Sequence, residues 1–273
     1  MNAYRRIVLF GKADSADAVA AVELMRGHLQ ARGIAVLAED EADKADVAII
    51  VGGDGTLLSV ARQLATHDVP LVGINQGRLG FMTDIARTDM LPALDRLLAG
   101  EFTADRRMLL DACVLRDGQV VFCTQALNDV VVSKGDLGRM IEMEVRVDDE
   151  FLYVLRADGM IVATPTGSTA YALSANGPIL QPAVPGIALV PLCAHALTYR
   201  PITIADSSRV EIRLVQSYDG RVHCDGQSYF DAKAGDTVRL SRSAHAVTLL
   251  HPPGYSYFAM LREKLHWSAT TYR

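Results

Sequence analysis

Val47-Ala48-Ile49-Ile50-Val51-Gly52-Gly53-Asp54-Gly55-Thr56-Leu57 decides the fold, because an apolar run ends abruptly on three glycines placed around one acid. The run has the length of a buried strand. Apolar side chains then recur at helical spacing, at Leu57, Leu58, Ala61, Leu64 and Ala65. The glycines therefore mark a strand-to-helix turn. In an open α/β sheet such a turn lies at the carboxyl edge of the strands, where ligands bind.

The turn has the chemistry of a phosphate site. Gly52, Gly53 and Gly55 would let backbone N–H groups approach a phosphate, and Thr56 is expected to cap the helix that follows. The Asp54 carboxylate would repel a phosphate, so its presence indicates a separate role, such as orienting a hydroxyl or holding a metal ion. An ordinary Asp-Gly turn between two elements fits the same residues, so the motif alone leaves both interpretations open.

Length, composition and charge restrict the class of protein. A chain of 273 residues, half of them apolar, predicts two domains of unequal size with sizeable cores. The net charge of −5 argues against a nucleic-acid or anionic-membrane partner, since both require a basic face. The amino terminus has no long apolar targeting segment, and no stretch has the length of a membrane span. We therefore expect a soluble cytoplasmic protein.

The cysteines predict neither a zinc site nor a disulfide framework. Cys113, Cys123, Cys193 and Cys224 form no C-x-x-C pair and lie far apart in the chain. Four buried thiols are the expectation.

The pattern of elements predicts two domains. Over residues 1–100, apolar runs alternate with helical stretches, which predicts an open, mostly parallel, doubly wound α/β domain of nucleotide-binding type. Residues 101–254 contain a succession of strand-like segments separated by turns, which predicts a β-rich, sandwich-like domain. Residues 255–267 return to helical character, and the tail 255–273 packing back on the first domain is one option.

One segment of the second domain lacks the strand pattern expected of a β-sandwich. Residues 164–178, TPTGSTAYALSANGP, place four hydroxyls and a glycine before a helix of about two turns. The helix start would offer donors to a phosphate or ribose, and Tyr171 could stack on a base. A capped connector helix is the alternative.

Three further motifs carry acidic residues. Asn128-Asp129 lies in an otherwise apolar strand over residues 126–132, where an amide suits an adenine edge and a carboxylate suits a ribose diol. A structural polar pair explains Asn128-Asp129 equally well. Asp158-Gly159 and Cys224-Asp225-Gly226-Gln227 fit ordinary turns unless they converge on one site.

Other known catalytic motifs are missing. The seven histidines show no metal spacing, and the sequence contains no H-E-x-x-H or G-x-S-x-G, which disfavours a zinc or serine hydrolase. Neither G-x-x-x-x-G-K-[ST] nor a G-x-G-x-x-G in the first turn occurs, so neither standard nucleotide loop is used.

The motifs together resemble a known family. Residues 52–56 resemble a signature shared by NAD kinases, diacylglycerol and sphingosine-type lipid kinases and, more distantly, phosphofructokinases. In chain order they are joined by residues 73–81 (GINQGRLGF), 126–129, 158–159, 164–171 and 224–227, and the chain then resembles a bacterial NAD kinase over nearly its whole length. Lipid kinases lack the segment 164–171.

This resemblance implies a reaction and a set of site residues. The reaction is transfer of the ATP γ-phosphoryl group to the 2′-hydroxyl of the adenosine ribose of NAD, giving NADP. Asp54 would be catalytic, and Gly52, Gly53, Gly55 and Thr56 would bind phosphate. The NAD-binding residues would be Phe81, Asn128, Asp129, Arg139, Arg156, Asp158, Thr166, Thr169, Ala170, Tyr171, Ala172, Leu173, Ser174, Asp225 and Gln227.

The resemblance also implies partners and alternatives. It implies no resident metal, a divalent ion such as Mg²⁺ that arrives with ATP, and a homotetramer or homodimer. Arg156 corresponds to the basic residue associated with a preference for NAD over NADH, and Arg139 would contact the pyrophosphate. Asp129 departs from the family, whose members usually carry Glu there. A lipid kinase and a non-catalytic NAD(P)-binding sensor remain the alternative functions.

Overall fold

The computed structural model describes residues 3–12, 14–77, 80–135, 138–217 and 219–267. The chain divides into two compact units, one formed by residues 1–106 with 247–273 and the other by residues 107–246. The sequence predicts borders after residues 100 and 254. Arg78 and Leu79, which belong to the predicted 73–81 motif, lie outside the described residues.

The first unit is an α/β layer structure. Its strands are β1 (Arg6–Gly11), β2 (Ala35–Leu37), β3 (Val47–Val51), β4 (Leu71–Asn75) and β5 (Ile85–Ala86), and its helices are α1 (Ala16–Gln30), α2 (Asp54–Leu64) and α3 (Met90–Leu98). The strands pair in parallel in the order β5-β4-β3-β1-β2. The predicted mostly parallel α/β domain is confirmed.

Burial explains why the two central strands read as continuous apolar runs. Every residue of β3 and of β4 is buried, as expected of strands covered on both faces. Ser15 caps helix α1, because its hydroxyl accepts from the backbone N–H of Ala18, and the helix buries one apolar stripe that includes Met25 and Leu29. The strands and helices therefore share one hydrophobic core.

The second unit is built from antiparallel strands. Its strands are β6 (Thr103–Arg116), β7 (Gln119–Ala126), β8 (Asp129–Lys134), β9 (Ile141–Val147), β10 (Glu150–Ala157), β11 (Gly159–Ala163), β12 (Gly186–Leu192), β13 (Ile202–Ala205), β14 (Val210–Gln216), β15 (Gly220–Cys224), β16 (Ser228–Ala232) and β17 (Thr237–His251). One sheet has the order β13-β12-β11-β8-β15-β16, and β10-β9-β14-β17 with the β6–β7 hairpin form the facing layer. Side chains of both layers share one core, so the predicted sandwich is confirmed.

Several predicted elements need correction. The sequence predicts two separate strands over residues 238–241 and 247–250, but both belong to the single strand β17, whose last part, from residue 247, lies in the first unit. The predicted two-turn helix after Thr164 is a 3₁₀ turn over Gly167–Thr169 followed by one α-turn, α4 (Tyr171–Ser174). The predicted tail helix is present as α5 (Tyr257–Lys264).

The cysteine prediction is wrong for three of the four residues. Cys113 and Cys123 face each other in the β6–β7 pairing and form a disulfide, with their Cα atoms 4.2 Å apart. Cys193 is an exposed thiol and only Cys224 is a buried one. A hairpin turn brings the first pair together, which requires no C-x-x-C spacing. Within the described residues, no helix is long and apolar enough to cross a membrane.

Candidate functional site

The glycine turn between β3 and α2 is the first candidate. Helix α2 begins at Asp54, with Gly53 in the cap position and no side-chain cap, so the prediction that Thr56 caps the helix is wrong. A Cβ on Gly52 would lie 2.5 Å from the Thr56 hydroxyl oxygen, so packing requires this glycine. A Cβ on Gly53 or Gly55 would meet no described heavy atom within 4 Å. The space beside these two glycines is open to a ligand.

Asp54 holds the loop that follows β4. Its Oδ2 accepts from the Phe81 backbone N–H at 2.7 Å, and its Oδ1 accepts from those of Met82 at 3.0 Å and Thr83 at 3.1 Å. The Thr83 hydroxyl donates a further bond to Oδ1 at 3.1 Å. A Cβ on Gly80 would lie 2.0 Å from Oδ1, so only glycine permits this approach. The carboxylate therefore has a fixed orientation.

A cavity of about 380 Å³ in the second unit is the second candidate. Its volume is in the range of small-molecule sites. Five predicted residues line it together: Asn128, Asp129, Ala170, Tyr171 and Asp225. Four residues that the sequence reading missed complete the lining: Val131, Ser133, His223 and Gly226. The cavity thus combines a carboxylate pair, an amide and an aromatic ring.

The missed residues follow from strand geometry. Val131 and Ser133 are two and four positions after Asp129 in β8, and side chains two apart share one face of a strand. His223 lies two positions before Asp225 and pairs with Val131 in register. Period-two spacing from the predicted acids was the signal that could have identified them.

Asp225 fixes the bend that carries Asn128. Its carboxylate accepts from the backbone N–H groups of Leu127 at 2.9 Å, Asn128 at 2.7 Å and Asp129 at 3.1 Å. From the other side, Thr164 donates its hydroxyl to the Leu127 carbonyl and its N–H to the Asn128 carbonyl. Strand β8 begins only at Asp129, so the prediction that Asn128 lies inside the strand is wrong. Asn128 lies on a rigid bend instead, at the cavity wall.

Asp129 is a buried carboxylate at the cavity. Only 5% of the residue is exposed, and the residue lines the cavity. Burial, and then the charge of Asp225, raise the pKa of Asp129 to about 7. Burial followed by the charge of Arg221 lowers the pKa of His223. The Asp129 side chain is therefore able to accept or donate a bond to a ligand near neutral pH.

The two predicted arginines lie in a different cavity of the second unit. Arg139 and Arg156 line a space of about 370 Å³ together with Gly138, Met140, Glu142 and Gln216. Asp158 lies in neither lining and pairs with Lys134, whose Nζ is 2.8 Å from its carboxylate. The sequence reading gave no role to Lys134.

The remaining predicted residues do not line the larger cavity. Thr166 is buried and accepts from Arg107 at 3.2 Å, and the Thr169 hydroxyl donates to the Thr166 carbonyl at 3.1 Å. Ala172 is fully buried in an apolar cluster. Among the others, Leu173 is half-buried, Ser174 is exposed, and Gln227 donates its N–H to the Cys224 carbonyl.

Both parts of the chain match models of one protein family. A family model described as the ATP-NAD kinase N-terminal domain matches residues 14–102, and one described as the ATP-NAD kinase C-terminal domain matches residues 127–251. The chain is 55% identical to the NAD kinase of Azoarcus sp. (strain BH72), over 97% of each chain. It is 56% identical to the NAD kinase of Aromatoleum aromaticum, over 99% of this chain and 96% of that one.

Solved structures give the same picture. An NAD kinase from Archaeoglobus fulgidus in complex with ATP is similar with a TM-score of 0.81 and 25% identity, over 96% of this chain and 98% of that one. Yeast NADH kinase complexed with NADH shares the fold, with a TM-score of 0.90 and 21% identity over 98% of this chain and 89% of that one.

Proposed function

Because this chain belongs to the ATP-NAD kinase family, we propose that it catalyses that family's reaction. In this reaction the γ-phosphoryl group of ATP is transferred to the 2′-hydroxyl of the adenosine ribose of NAD. The product is NADP, and the enzyme is a phosphotransferase with an alcohol acceptor. Membership in this family decides against the lipid-kinase alternative.

The observation that supports the proposal most directly is the cavity that holds Asn128, Asp129, Tyr171 and Asp225. The Asn128 amide offers both a donor and an acceptor, as an adenine edge requires. The Asp129 carboxylate accepts from ribose hydroxyls, and Tyr171 lies at the rim with about half of its surface exposed, ready to stack on a base. We assign this cavity to the adenosine part of NAD. Asp225 acts by holding the bend of Asn128 in place.

Asp54 is the residue we assign to the acceptor hydroxyl. Among the described residues, its Oδ2 accepts only from Phe81 and so keeps a lone pair, whereas Oδ1 accepts three bonds. A hydroxyl that donates to Oδ2 would be aligned for attack on the phosphorus. Phosphoryl transfer depends on positioning and charge neutralisation more than on covalent chemistry, so a carboxylate of fixed orientation suits it.

The glycine turn and a divalent ion would serve the phosphates. The open space beside Gly53 and Gly55 lets a phosphate come close to the backbone at the start of α2, where the helix dipole favours negative charge. The described residues contain no group of three or more His, Cys, Asp or Glu side chains able to hold a metal by themselves. Mg²⁺ prefers phosphate oxygens and water to an all-protein cage, so we propose that it arrives with ATP and neutralises phosphate charge there.

We retain two further proposals from the resemblance. Arg139 would contact the pyrophosphate of the dinucleotide, and Arg156 would favour NAD over NADH. The chain would act as a homotetramer or homodimer, which light scattering on the purified protein would test.

Incubation of the purified full chain with ATP, Mg²⁺ and NAD tests the function. We expect NADP to form, with much less phosphorylation of NADH, and none of diacylglycerol in vesicles. Polyphosphate in place of ATP identifies the phosphoryl donor. Tight NADP binding without any turnover would favour the sensor and contradict the proposal.

A further inference from the structure

His251 is a buried histidine that the proposed reaction does not use. It lies at the end of β17 with 2% of its surface exposed. Its Nδ1 donates to Oδ2 of Asp84 across 2.7 Å, and its ring stacks on Tyr255 with the centroids 3.7 Å apart. Its Nε2 lies 3.5 Å from the carboxylate of Asp105. The imidazole is therefore packed on one face and set between two acidic groups.

Stability alone does not explain the pair of His251 and Asp84. The Asp84 side chain is 4% exposed, and its Oδ1 has no hydrogen-bond partner within the described part of the chain. Removing a carboxylate from water is unfavourable, and a well-packed apolar pair of similar volume is often as stable as a buried ion pair. A buried polar pair of this kind has another use when it fixes a geometry.

The geometry that this pair fixes is the loop on Asp54. Asp84 directly follows Phe81, Met82 and Thr83, whose N–H groups donate to the Asp54 carboxylate. Thr83 is fully buried. The loop is thus attached at one end to Asp54 and at the other, through Asp84, to His251.

We propose that His251 is a positioning residue of the phosphoryl transfer, which acts through Asp84 and the 81–83 loop to orient the Asp54 carboxylate. This inference rests on the proposed role of Asp54. Without the His251 bond, Asp84 would leave its buried site for water and pull the loop with it. The N–H groups that set the direction of the Asp54 carboxylate would then move, although His251 itself is buried.

The first test compares His251→Phe with a matched control. Phenylalanine keeps a ring to stack on Tyr255 but has no donor for Asp84. We expect kcat to fall by about tenfold or more, since a shift of about 1 Å in a catalytic group can cost about a hundredfold, with KM for NAD and ATP changed less than about twofold. His28→Phe is the matched control. His28 on α1 also pairs with an aspartate, Asp95 on α3, at 2.8 Å, but within the described residues neither is bonded to the loop that holds Asp54. This control variant should leave kcat unchanged.

A second pair of variants gives a result even if the phenylalanine variant fails to fold. His251→Asn places an amide donor near the Nδ1 position, whereas His251→Gln places it near Nε2. We expect the asparagine variant to recover much of the lost kcat and the glutamine variant to recover little. Equal kcat in the two variants, measured well below their unfolding temperatures, would overturn the inference.

The Asp54→Asn background separates this inference from the proposed function. If His251 acts through Asp54, adding His251→Phe to Asp54→Asn should lower kcat no further. Fully additive losses would show that His251 acts elsewhere and would leave the role of Asp54 standing. Wild-type kcat in Asp54→Asn alone would refute the role of Asp54 itself.

Discussion

The backbone N–H of Asp129 donates to the Asp225 carboxylate across 3.1 Å, so one acidic residue is bonded to the main chain of another. Both residues are buried and line the same cavity. Burial and the Asp225 charge raise the pKa of Asp129 to about 7. The charge of this group is therefore poised to change within the physiological pH range.

The affinity for NAD should fall as the pH is lowered. The ionised Asp129 accepts from two ribose hydroxyls, and the protonated form loses acceptor capacity. With a pKa of about 7 in the free protein, the Kd for NAD should rise by roughly tenfold between pH 8 and pH 6. Calorimetric titration with NAD in the absence of ATP measures this. Asp129→Asn should bind weakly with a flat profile, and a pH dependence that survives in this variant would assign it to another group.

The contribution of Asp129 to protein stability should increase as the pH is lowered, whereas the affinity for NAD should decrease. The pKa of Asp129 is higher in the folded chain than in the unfolded one, so its contribution to stability is full below about pH 4 and is lost as the pH rises to about 7. Asp129→Asn should therefore raise the free energy of unfolding above pH 7, by an amount on the order of a few kcal/mol, and change it little near pH 4. Denaturant titrations at the two pH values test this. A stabilisation of equal size at both would show that the buried charge is not its cause.

The fold could be predicted because its signals are local. The five apolar residues Val47–Val51 and the alternating residues Ile141–Val147 each carry the period of the strand that they form. The errors arose where tertiary contacts decide. The helix predicted within residues 164–178 is shorter than expected. The Thr164 hydroxyl is bonded to the Leu127 carbonyl and the Ser168 hydroxyl to the backbone of Leu180, so these residues do not extend the helix.

The site could be predicted only in part. The sequence marks Asp54 as an unusual acid, whereas Asp225 fits an ordinary turn and is indicated only by the family resemblance. The bonds of the two carboxylates reach backbone N–H groups between 27 and 98 residues away, and no local pattern reports such bonds. His223 and Ser133 have the period-two spacing from a predicted acid, but that spacing alone does not show that their strands lie side by side. The register of β8 with β15 is the information that the sequence lacked.

The first two glycines of the turn should respond differently to alanine. In Gly52→Ala the new Cβ would lie 2.5 Å from the Thr56 hydroxyl oxygen, so we expect a loss of about 1–3 kcal/mol of stability. In Gly53→Ala the Cβ enters open space, so stability should change by less than about 1 kcal/mol. KM for ATP should nevertheless rise in Gly53→Ala, because the methyl group occupies the space assigned to phosphate. Thermal unfolding and steady-state kinetics separate these effects, and an unchanged KM would remove Gly53 from the phosphate site.

Asp54→Asn should reduce turnover without preventing NAD binding. The amide keeps one acceptor oxygen for the loop but replaces Oδ2 or Oδ1 with a donor, so the bond to the acceptor hydroxyl is lost or misdirected. We expect kcat to fall by about a hundredfold or more, the range for a lost acid-base group. The Kd for NAD, measured by calorimetry, should stay within about threefold, since the cavity of Asn128 and Asp129 is unchanged. A variant with full turnover would exclude Asp54 from the reaction.

Asp225→Asn provides a linked test of the cavity. Asn tolerates the left-handed backbone of residue 225, where φ is 55°, so the turn itself should persist. Its amide group would face one of the three N–H groups that Asp225 now accepts, which leaves a buried donor unpaired at a cost of about 1–3 kcal/mol. Removing the Asp225 charge also lowers the pKa of Asp129, because that charge raises it now. The pH midpoint for NAD binding should therefore move to lower pH in this variant, and a midpoint that stays near 7 would show that burial alone sets the Asp129 pKa.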